Sequence, residues 1–309
     1  IEGTIATGMW TIVGRGHGND EVTREDIRKV IETTTTAINL PADKEVLHKI
    51  PRSYTIDGIK LFENPINTIG KRLDAEVFIV TSSASTVKNF MNCIEAPGYV
   101  VDQVMLKTLA ATKAVMTEDE QNLGSLIIDI GGGTSEAAVI SLGSIVTAKT
   151  VRVAGNAFDE AIANYIKKKH NLLIGERTAE QIKIEIGSAL PYEGERTIEI
   201  KGRNQVDGLP KNVVITSAEV RAAMSDPISQ IVDTVRTTLE KTPPELASDI
   251  IDRGIVLTGG GAQLRGLDKL IQDEIDIPVH VADNPIDCVV EGIGKRLDAD
   301  LPFNTYYRR

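Results

Sequence analysis

Hydrophobic positions in the first part of the chain alternate between strand and helix spacing. Ile27, Val30 and Ile31 lie at helical spacing behind Thr23 and Asp26, which form a variant of the capping box, so a helix is predicted there. Short apolar runs bounded by proline, glycine or aspartate predict strands, and two periodic stretches predict helices. The predicted strands are 46–54, 55–61 and 75–80, and the predicted helices are 85–94 and 104–115.

The rest of the chain shows a firmer pattern, in which two apolar strands each end at three glycines. One strand precedes glycines 131–133 and the other precedes glycines 259–261. Capping-box spacings at 178–181 and 216–219 predict the starts of two helices. The predicted strands are 126–129, 136–142, 145–153, 255–257 and 277–281, and the predicted helices are 159–169, 179–189, 217–241, 264–274 and 284–297.

Composition narrows the class of protein. The 309 residues are 41% apolar and 25% charged, which is typical of a globular chain of about two domains. A formal net charge of −10 disfavours a nucleic-acid partner. Cys93 and Cys288 lie outside any zinc-binding spacing, and no apolar run is long enough to span a bilayer. With no signal-peptide pattern at the start, a reducing cytoplasm is the expected location.

The two glycine corners are the candidate chemistry. At the first corner, glycine lets successive backbone N–H groups point at one anion, Asp129 at the strand end is suited to hold Mg²⁺ through water, and Thr134 adds a hydroxyl. At the second corner, bare backbone permits a base or ribose to approach closely. Neither corner fits a Rossmann or Walker motif. One triplet alone is as easily a tight turn, but two at strand ends favour nucleotide binding.

Several segments resemble the bacterial actin-like proteins of the actin, sugar-kinase and Hsp70 superfamily. Residues 126–300 resemble the rod-shape MreB family, and residues 11–125 resemble the cell-division FtsA family. The MreB-like segments are Asp-Ile-Gly-Gly-Gly-Thr at 129–134, Tyr-Ile-Lys-Lys-Lys at 165–169, Asn-Leu-Leu-Ile-Gly-Glu-Arg-Thr-Ala-Glu at 171–180, 182–188 and Leu-Thr-Gly-Gly-Gly at 257–261; the FtsA-like ones are 21–27, 47–51, 54–58 and 72–77.

The resemblance implies an α/β actin-like ATPase fold with two lobes, each a mixed β-sheet with flanking helices, and an FtsA-like extra subdomain. The implied division is a first-lobe remnant at 1–10, the FtsA-like subdomain at 11–75, the rest of the first lobe at 76–125, the second-lobe core at 126–190 and 226–290, a small insertion at 191–225, and a return helix and tail at 291–309.

The resemblance also implies roles for named positions around ATP. Asp129 would order Mg²⁺ and water. Glu180 and Lys183 would flank the ribose and adenine from one helix face, although on the residues alone a surface ion pair is the simpler interpretation. The remaining implied nucleotide-binding residues are Gly131, Gly132, Gly133, Thr134, Gly155, Asn156, Gly259, Gly260, Gly261 and Ala262.

Two departures from the family pattern bear on catalysis. The Asp-x-Gly hairpin that grips the β- and γ-phosphates has no counterpart, so the sequence is expected to begin after it. Where the family carries Glu-Pro ahead of an alanine-rich helix, this chain has Lys107 and Thr108. An ammonium cannot accept a proton from water, so weak or impaired ATP hydrolysis is expected, although Lys107 can still attract a phosphate.

The function implied is that of a cytoskeletal protein of cell division or cell shape that binds ATP between two lobes and polymerises into filaments. The implied partners are FtsZ or wall-elongation proteins, with peripheral contact at the inner membrane face and no nucleic acid. Two alternatives stay open: a small-molecule kinase, for which Asp57 and Asp74 are available as bases, and a scaffold that has lost its nucleotide.

Overall fold

A computed structural model describes residues 2–12, 20–61, 65–117, 120–121, 123–141 and 143–298. The N-terminal part forms a four-stranded antiparallel sheet in the order β1-β4-β2-β3. The helix predicted from the spacing of Ile27, Val30 and Ile31 is confirmed as α1, which covers one face of the sheet and packs these buried side chains against it. The elements are β1 (Glu2–Thr11), α1 (Arg24–Thr36), β2 (Lys44–Ile56), β3 (Ile59–Leu61) and β4 (Arg72–Ser83).

The capping box predicted for α1 is confirmed. The Thr23 side chain accepts from the Asp26 amide, and the Asp26 carboxylate accepts from the Thr23 amide at 2.9 Å. The predicted strands 46–54 and 55–61 are divided elsewhere: β2 runs from Lys44 to Ile56, the chain turns at 57–58, and β3 follows. Within β2 the register shifts between Pro51 and Ser53. Proline cannot donate to a sheet ladder, and here the strand absorbs it through that irregularity rather than by ending.

The division expected near residues 10 and 75 falls inside strands of this sheet. β1 contains the residues on both sides of the first boundary, and β4 continues from Arg72 to Ser83 across the second. Strands β1 and β4 pair along their length, from Glu2 opposite Thr81 to Thr11 opposite Arg72. Residues 2–11 therefore belong to the same sheet as the segment that resembles FtsA.

The second part of the chain is built on a five-stranded mixed sheet in the order β12-β11-β5-β6-β7. β11 runs parallel to β5 and β12, whereas β5, β6 and β7 form antiparallel hairpins. The parallel half and the antiparallel half therefore meet at β5. The strands are β5 (Ser125–Ile130), β6 (Ser135–Ser141), β7 (Ser144–Val151), β11 (Ile255–Thr258) and β12 (Val279–Val281).

Helices cover both faces of this sheet. Phe158, Ile162 and Val235 lie in the larger core, together with Leu126 and Ile128 of β5. A small sheet in the order β10-β9-β8 lies beyond this layer. The elements are α2 (Ala84–Glu95), α3 (Lys107–Val115), α4 (Gly155–His170), β8 (Leu172–Leu173), α5 (Glu176–Ile186), β9 (Thr197–Asn204), β10 (Pro210–Thr216), α6 (Ser217–Glu240), α7 (Pro244–Arg253), α8 (Leu267–Ile275) and α9 (Cys288–Asp298).

The N-terminus of α6 carries a dense charge cluster. The capping box of Thr216 and Glu219 is confirmed, and Glu219 also lies 2.9 Å from both Lys169 Nζ and His170 Nε2. Burial opposes ionisation of this carboxyl, but hydrogen bonds from Lys169, Thr216 and His170 outweigh burial and lower the Glu219 pKa to about 2. Glu219 therefore links the end of α4 to the start of α6.

The other capping-box prediction is wrong. Helix α5 begins at Glu176 after Gly175, so Thr178 lies inside its first turn rather than at its N-cap. The sequence spacing was right for a cap, but the chain enters the helix earlier.

Among the described residues, no helix is both long and apolar enough to cross a bilayer. The expected C-terminal tail falls at 299–309, outside the described residues.

Helix α3 lies between the two sheets. Leu106 and Ala111 pack in a core cluster with Phe78 of β4 on one side and Ile127 of β5 on the other. His48 of β2 accepts a 3.0 Å hydrogen bond from the Leu106 amide, just before the helix begins. Burial lowers the His48 pKa, which keeps the imidazole neutral and able to accept this bond. The N-terminal sheet thus fixes the start of α3.

Candidate functional site

The two glycine corners lie side by side at one edge of the five-stranded sheet. β5 and β11 are parallel neighbours with Asp129 opposite Thr258, so the loops that follow them leave the same edge. Gly259 has a φ of +83°, and a Cβ there would lie 2.4 Å from the Ile130 carbonyl oxygen and 2.5 Å from Asp129 Oδ1. Only glycine permits this approach, and it brings together the corners that sequence analysis assigned to one ligand.

The first loop rests on the N-terminus of helix α4. The Gly131 amide closes the turn on the Thr134 carbonyl at 3.0 Å. The Gly131 and Gly132 carbonyls in turn accept from the Gly155 and Asn156 amides at 3.1 and 2.8 Å. These bonds satisfy two of the amides that a helix start leaves unpaired, and they aim its positive end at the loop. Gly155 and Asn156 therefore lie beside the loop, where the resemblance put them.

The outer faces of both corners have room for a ligand. A Cβ added at Gly133 would meet nothing within 4 Å, and one added at Gly260 would meet only Ile286, at 3.8 Å. By contrast, Gly261 faces inward, where its Cβ would clash with Ile130 at 2.3 Å. The glycines thus have two different uses: Gly259 and Gly261 allow the corners to pack together, and Gly133 and Gly260 leave open surface.

An ion pair between Lys107 and Asp129 occupies the centre of the site. Lys107 is the first residue of α3, and its Nζ lies 2.6 Å from Asp129 Oδ2 and 3.5 Å from the Thr134 carbonyl oxygen. The Thr258 hydroxyl donates to Asp129 Oδ1 at 3.5 Å. Sequence analysis placed Lys107 and Asp129 at the same site but gave them separate roles. No sequence signal joins these two residues, because their contact depends on how α3 packs beside β5.

These residues do not fit the Mg²⁺ that the resemblance assigned to Asp129. The Lys107 ammonium lies 2.6 Å from Asp129 Oδ2, and the Thr258 hydroxyl lies 3.5 Å from Oδ1, so a divalent cation would have to share this carboxylate with an ammonium already paired to it. Two cations placed that close repel each other strongly in a partly buried site. Within the part of the chain that the structure describes, no cluster of three or more His, Cys, Asp or Glu side chains is arranged to hold a metal ion.

Glu136 is a second buried carboxyl that sequence analysis missed. It pairs with Asp129 across β5 and β6, so both side chains lie on the face that α3 covers. Glu136 is 2% exposed, and burial raises its pKa, with partial offset from Thr108 and Lys107. It lines a cavity of about 290 Å³ together with Leu106. The antiparallel register supplied the signal, because directly opposed residues share a face.

Lys183 contacts the start of helix α4, where it pairs with Asp159 rather than with Glu180. Its Nζ lies 2.9 and 3.0 Å from the two Asp159 oxygens and donates to the Gly155 carbonyl at 3.2 Å. Burial raises the Asp159 pKa, and the hydrogen bond from Lys183 opposes that rise. Glu180 lies one turn earlier on α5 and is exposed. The surface Glu180–Lys183 pair is thus not the arrangement seen, and Asp159 is a residue that the sequence did not single out.

The aspartates available for a kinase base lie elsewhere. Asp57 turns the chain between β2 and β3, where its carboxylate accepts from the Lys71 and Arg72 amides. Asp74 lies on β4 and pairs with the Arg72 side chain at 3.0 Å. Both carboxylates therefore have structural partners in the N-terminal sheet, and neither contacts the glycine corners through these bonds.

Comparison with known proteins agrees with this architecture. The profile of the family described as MreB/Mbl protein matches residues 91–301, and the profile described as the SHS2 domain inserted in FtsA matches residues 1–81. The expected resemblance to both families is confirmed, but the change from one profile to the other lies at 81–91, earlier in the chain than the expected change at 125–126. The match to the SHS2 profile covers all four strands of the N-terminal sheet almost to the end of β4.

Individual relatives extend the comparison. The chain is 50% identical over 178 residues to the cell shape-determining protein Mbl of Bacillus subtilis, covering 58% of this chain and 54% of that protein. It is 48% identical over 200 residues to the cell shape-determining protein MreB of Escherichia coli, covering 65% and 56%. The chain thus spans about half the length of the curated relatives that it matches.

A solved structure confirms the expected actin-like fold. The crystal structure of MreB5 of Spiroplasma citri bound to ADP has a TM-score of 0.67 at 38% identity, covering 71% of this chain and 67% of that one. The MreB/Mbl profile alone matches more than half of the residues. The chain therefore belongs to the MreB/Mbl protein family and carries an FtsA-type SHS2 segment ahead of the MreB/Mbl region.

Proposed function

We propose that this chain binds an adenine nucleotide, ATP or ADP, across the two glycine corners. The approach of Gly259 to Asp129 carries the proposal, because it makes one continuous surface from two segments far apart in sequence. Ligands of open α/β sheets bind at the carboxyl ends of strands where the strand order changes direction, and β5 and β11 end there. The ADP bound to the S. citri relative supports the choice of ligand.

In this proposal the phosphates lie on the first loop and the adenosine lies on the second. Backbone amides of Gly132, Gly133 and Thr134 and the N-terminus of α4 provide a positive surface for phosphate. Gly260 and Ala262 provide flat surface beside the adenosine. Lys183, held by Asp159, places a second ammonium at the start of α4.

Hydrolysis is proposed to be weak. The position that needs a group able to orient or deprotonate water holds Lys107, which is already bound to Asp129. Glu136, opposite Asp129 on β6, is also a buried carboxyl, but it lines the cavity beside Leu106. Nucleotide binding, rather than turnover, would then set the state of the protein.

The cellular role proposed is that of a cytoplasmic, actin-like protein of cell shape or cell division. Membership of the MreB/Mbl family supports self-association into filaments and a link to wall-elongation proteins. The SHS2 segment supports a link to FtsZ and to the inner face of the membrane. Nucleotide bound between the sheets would bias their closure and so alter the contacts between subunits.

Calorimetric titration with ADP tests the nucleotide site. A Cβ at residue 133 or 260 would meet no other residue closer than 3.8 Å, so Gly133→Val and Gly260→Val should both fold. Each should weaken ADP binding by at least about tenfold. Unchanged ADP affinity in either variant would contradict the proposed site.

Sedimentation with and without ATP tests whether the protein forms filaments. A coupled assay of phosphoryl transfer to small-molecule acceptors tests the kinase alternative.

A further inference from the structure

The Asp129 carboxylate already has a cation bound to it, supplied by the chain. The 2.6 Å separation between Lys107 Nζ and Asp129 Oδ2 is that of a charge-assisted hydrogen bond. The Asp129 side chain is only 4% exposed, and a carboxylate so buried needs a paired charge to offset the free-energy cost of its burial. The ammonium meets that need without any ligand.

Contacts remote from the ligand surface hold this ammonium in place. The Leu106 amide, immediately before Lys107, is fixed by His48 of the N-terminal sheet. Farther along α3, Gly292 of α9 packs so closely that a Cβ there would lie 1.7 Å from the Ala110 carbonyl oxygen. The helix start is therefore positioned from two sides, and Lys107 does not have to be ordered by a bound nucleotide.

The same ammonium faces the first glycine loop. Its Nζ lies 3.5 Å from the Thr134 carbonyl oxygen and 3.7 Å from where a Gly131 Cβ would be. Lys107 is 29% exposed, so one side of its head group is open to the ligand surface. An ammonium is a compact point charge with three donors, and it can bind a carboxylate and a phosphate oxygen together.

We propose that Lys107 takes the place of the divalent cation at this site, so that nucleoside diphosphate binds without Mg²⁺. This inference rests on the proposed nucleotide function and adds the source of positive charge. It follows from the poor fit of Mg²⁺ to a carboxylate that already has the Lys107 ammonium 2.6 Å from one of its oxygens. The Lys107 ammonium alone can then bridge the Asp129 carboxylate and a phosphate oxygen of the nucleotide.

The test is ADP titration in Mg²⁺ and in EDTA. The dissociation constant of the wild-type protein should agree within about twofold between the two conditions, and Lys107→Met should bind ADP at least about tenfold more weakly in EDTA than in Mg²⁺. Lys269→Met, which removes an exposed lysine of α8, is the charge-matched control and should behave as the wild type. A loss of tenfold or more by the wild type in EDTA would overturn the inference.

Thermal unfolding without nucleotide separates this inference from the nucleotide proposal. Lys107→Met leaves Asp129 buried without its cation, so Mg²⁺ should raise its melting temperature but leave the wild-type value unchanged. An equal rise in the wild type would show that the ammonium does not replace the metal. ADP binding by the wild type only with Mg²⁺ sinks this inference alone, whereas no ADP binding in either condition sinks the nucleotide site as well. The wild-type arms decide the matter even if Lys107→Met does not fold.

Discussion

The packing of α9 against α3 can be tested with two alanine substitutions on one helix. A Cβ at Gly292 would lie 1.7 Å from the Ala110 carbonyl oxygen, 2.5 Å from its carbon and 3.2 Å from Ala110 Cα. A Cβ at Gly294 would meet nothing within 4 Å. Both glycines lie inside α9, so each substitution makes the same change in helix propensity, and only Gly292→Ala creates a clash with backbone.

The two substitutions should change the free energy of unfolding in opposite directions. Restoring normal contact at Gly292 requires α9 to move by about 1.5 Å, and overpacking of this kind costs about 1–3 kcal/mol or more. Gly294→Ala should instead gain about 0.5–1 kcal/mol from the lower entropy of alanine in the unfolded chain. Because both variants share that gain, their free energies of unfolding should differ by the cost of the clash alone, about 1–3 kcal/mol or more.

Urea denaturation at neutral pH measures both variants against the wild type. Gly292→Ala should unfold at lower urea and Gly294→Ala at higher urea, with unchanged slopes. Because α9 supports α3, Gly292→Ala should also weaken ADP binding by displacing Lys107. Equal stability of the two variants would refute the close packing of these helices.

Three further predictions concern other parts of the fold. The lowered Glu219 pKa stabilises the folded protein above about pH 4.5, and this contribution is lost as the pH falls towards 2. In urea denaturation, Glu219→Gln should therefore lower the free energy of unfolding by about 2 kcal/mol at pH 7 and by almost nothing at pH 2. An equal loss at both pH values would contradict this. The lowered His48 pKa gives a stabilisation that is complete above pH 6.5 and is lost as the imidazole protonates at lower pH. The melting temperature of His48→Gln should therefore fall less steeply below pH 6.5 than that of the wild type. An equally steep fall would show that another group causes the pH dependence. Gly259→Ala must accommodate a positive φ and a Cβ 2.4 Å from the Ile130 carbonyl oxygen, so it should lower the free energy of unfolding by about 2–4 kcal/mol. Calorimetry should then detect no ADP binding, and wild-type affinity would refute the role of that contact.

Local sequence signals predicted the elements around the site well. The capping boxes at Thr23 and Thr216 and the glycines after β5 and β11 depend on residues close in sequence, and the structure confirms those helix starts and strand ends. The spacing at Thr178 failed because an earlier entry into the helix satisfies the same backbone groups. The strand boundary predicted between residues 54 and 55 is wrong because β2 continues to Ile56, and the positive φ angles that turn the chain are those of Asp57 and Gly58.

The contacts that define the site's chemistry depend on tertiary structure. The Lys107–Asp129 pair joins a helix start to a strand end that are 22 positions apart in sequence, and no local pattern encodes their distance. Asp159 and Glu136 are recognisable only once helix α4 and the register of β5 and β6 are known. The nucleotide roles of Glu180 and Lys183 stay predictions, with Lys183 now assigned a protein partner as well.

Hydrogen–deuterium exchange with and without ADP tests the central claim most directly, because it reads both corners in one experiment. If the corners form a single nucleotide site, ADP should slow exchange in the peptides that cover 131–134 and 259–262 together, and less so in the β1–β4 sheet. Slower exchange at one corner only, or at neither, would contradict a shared site.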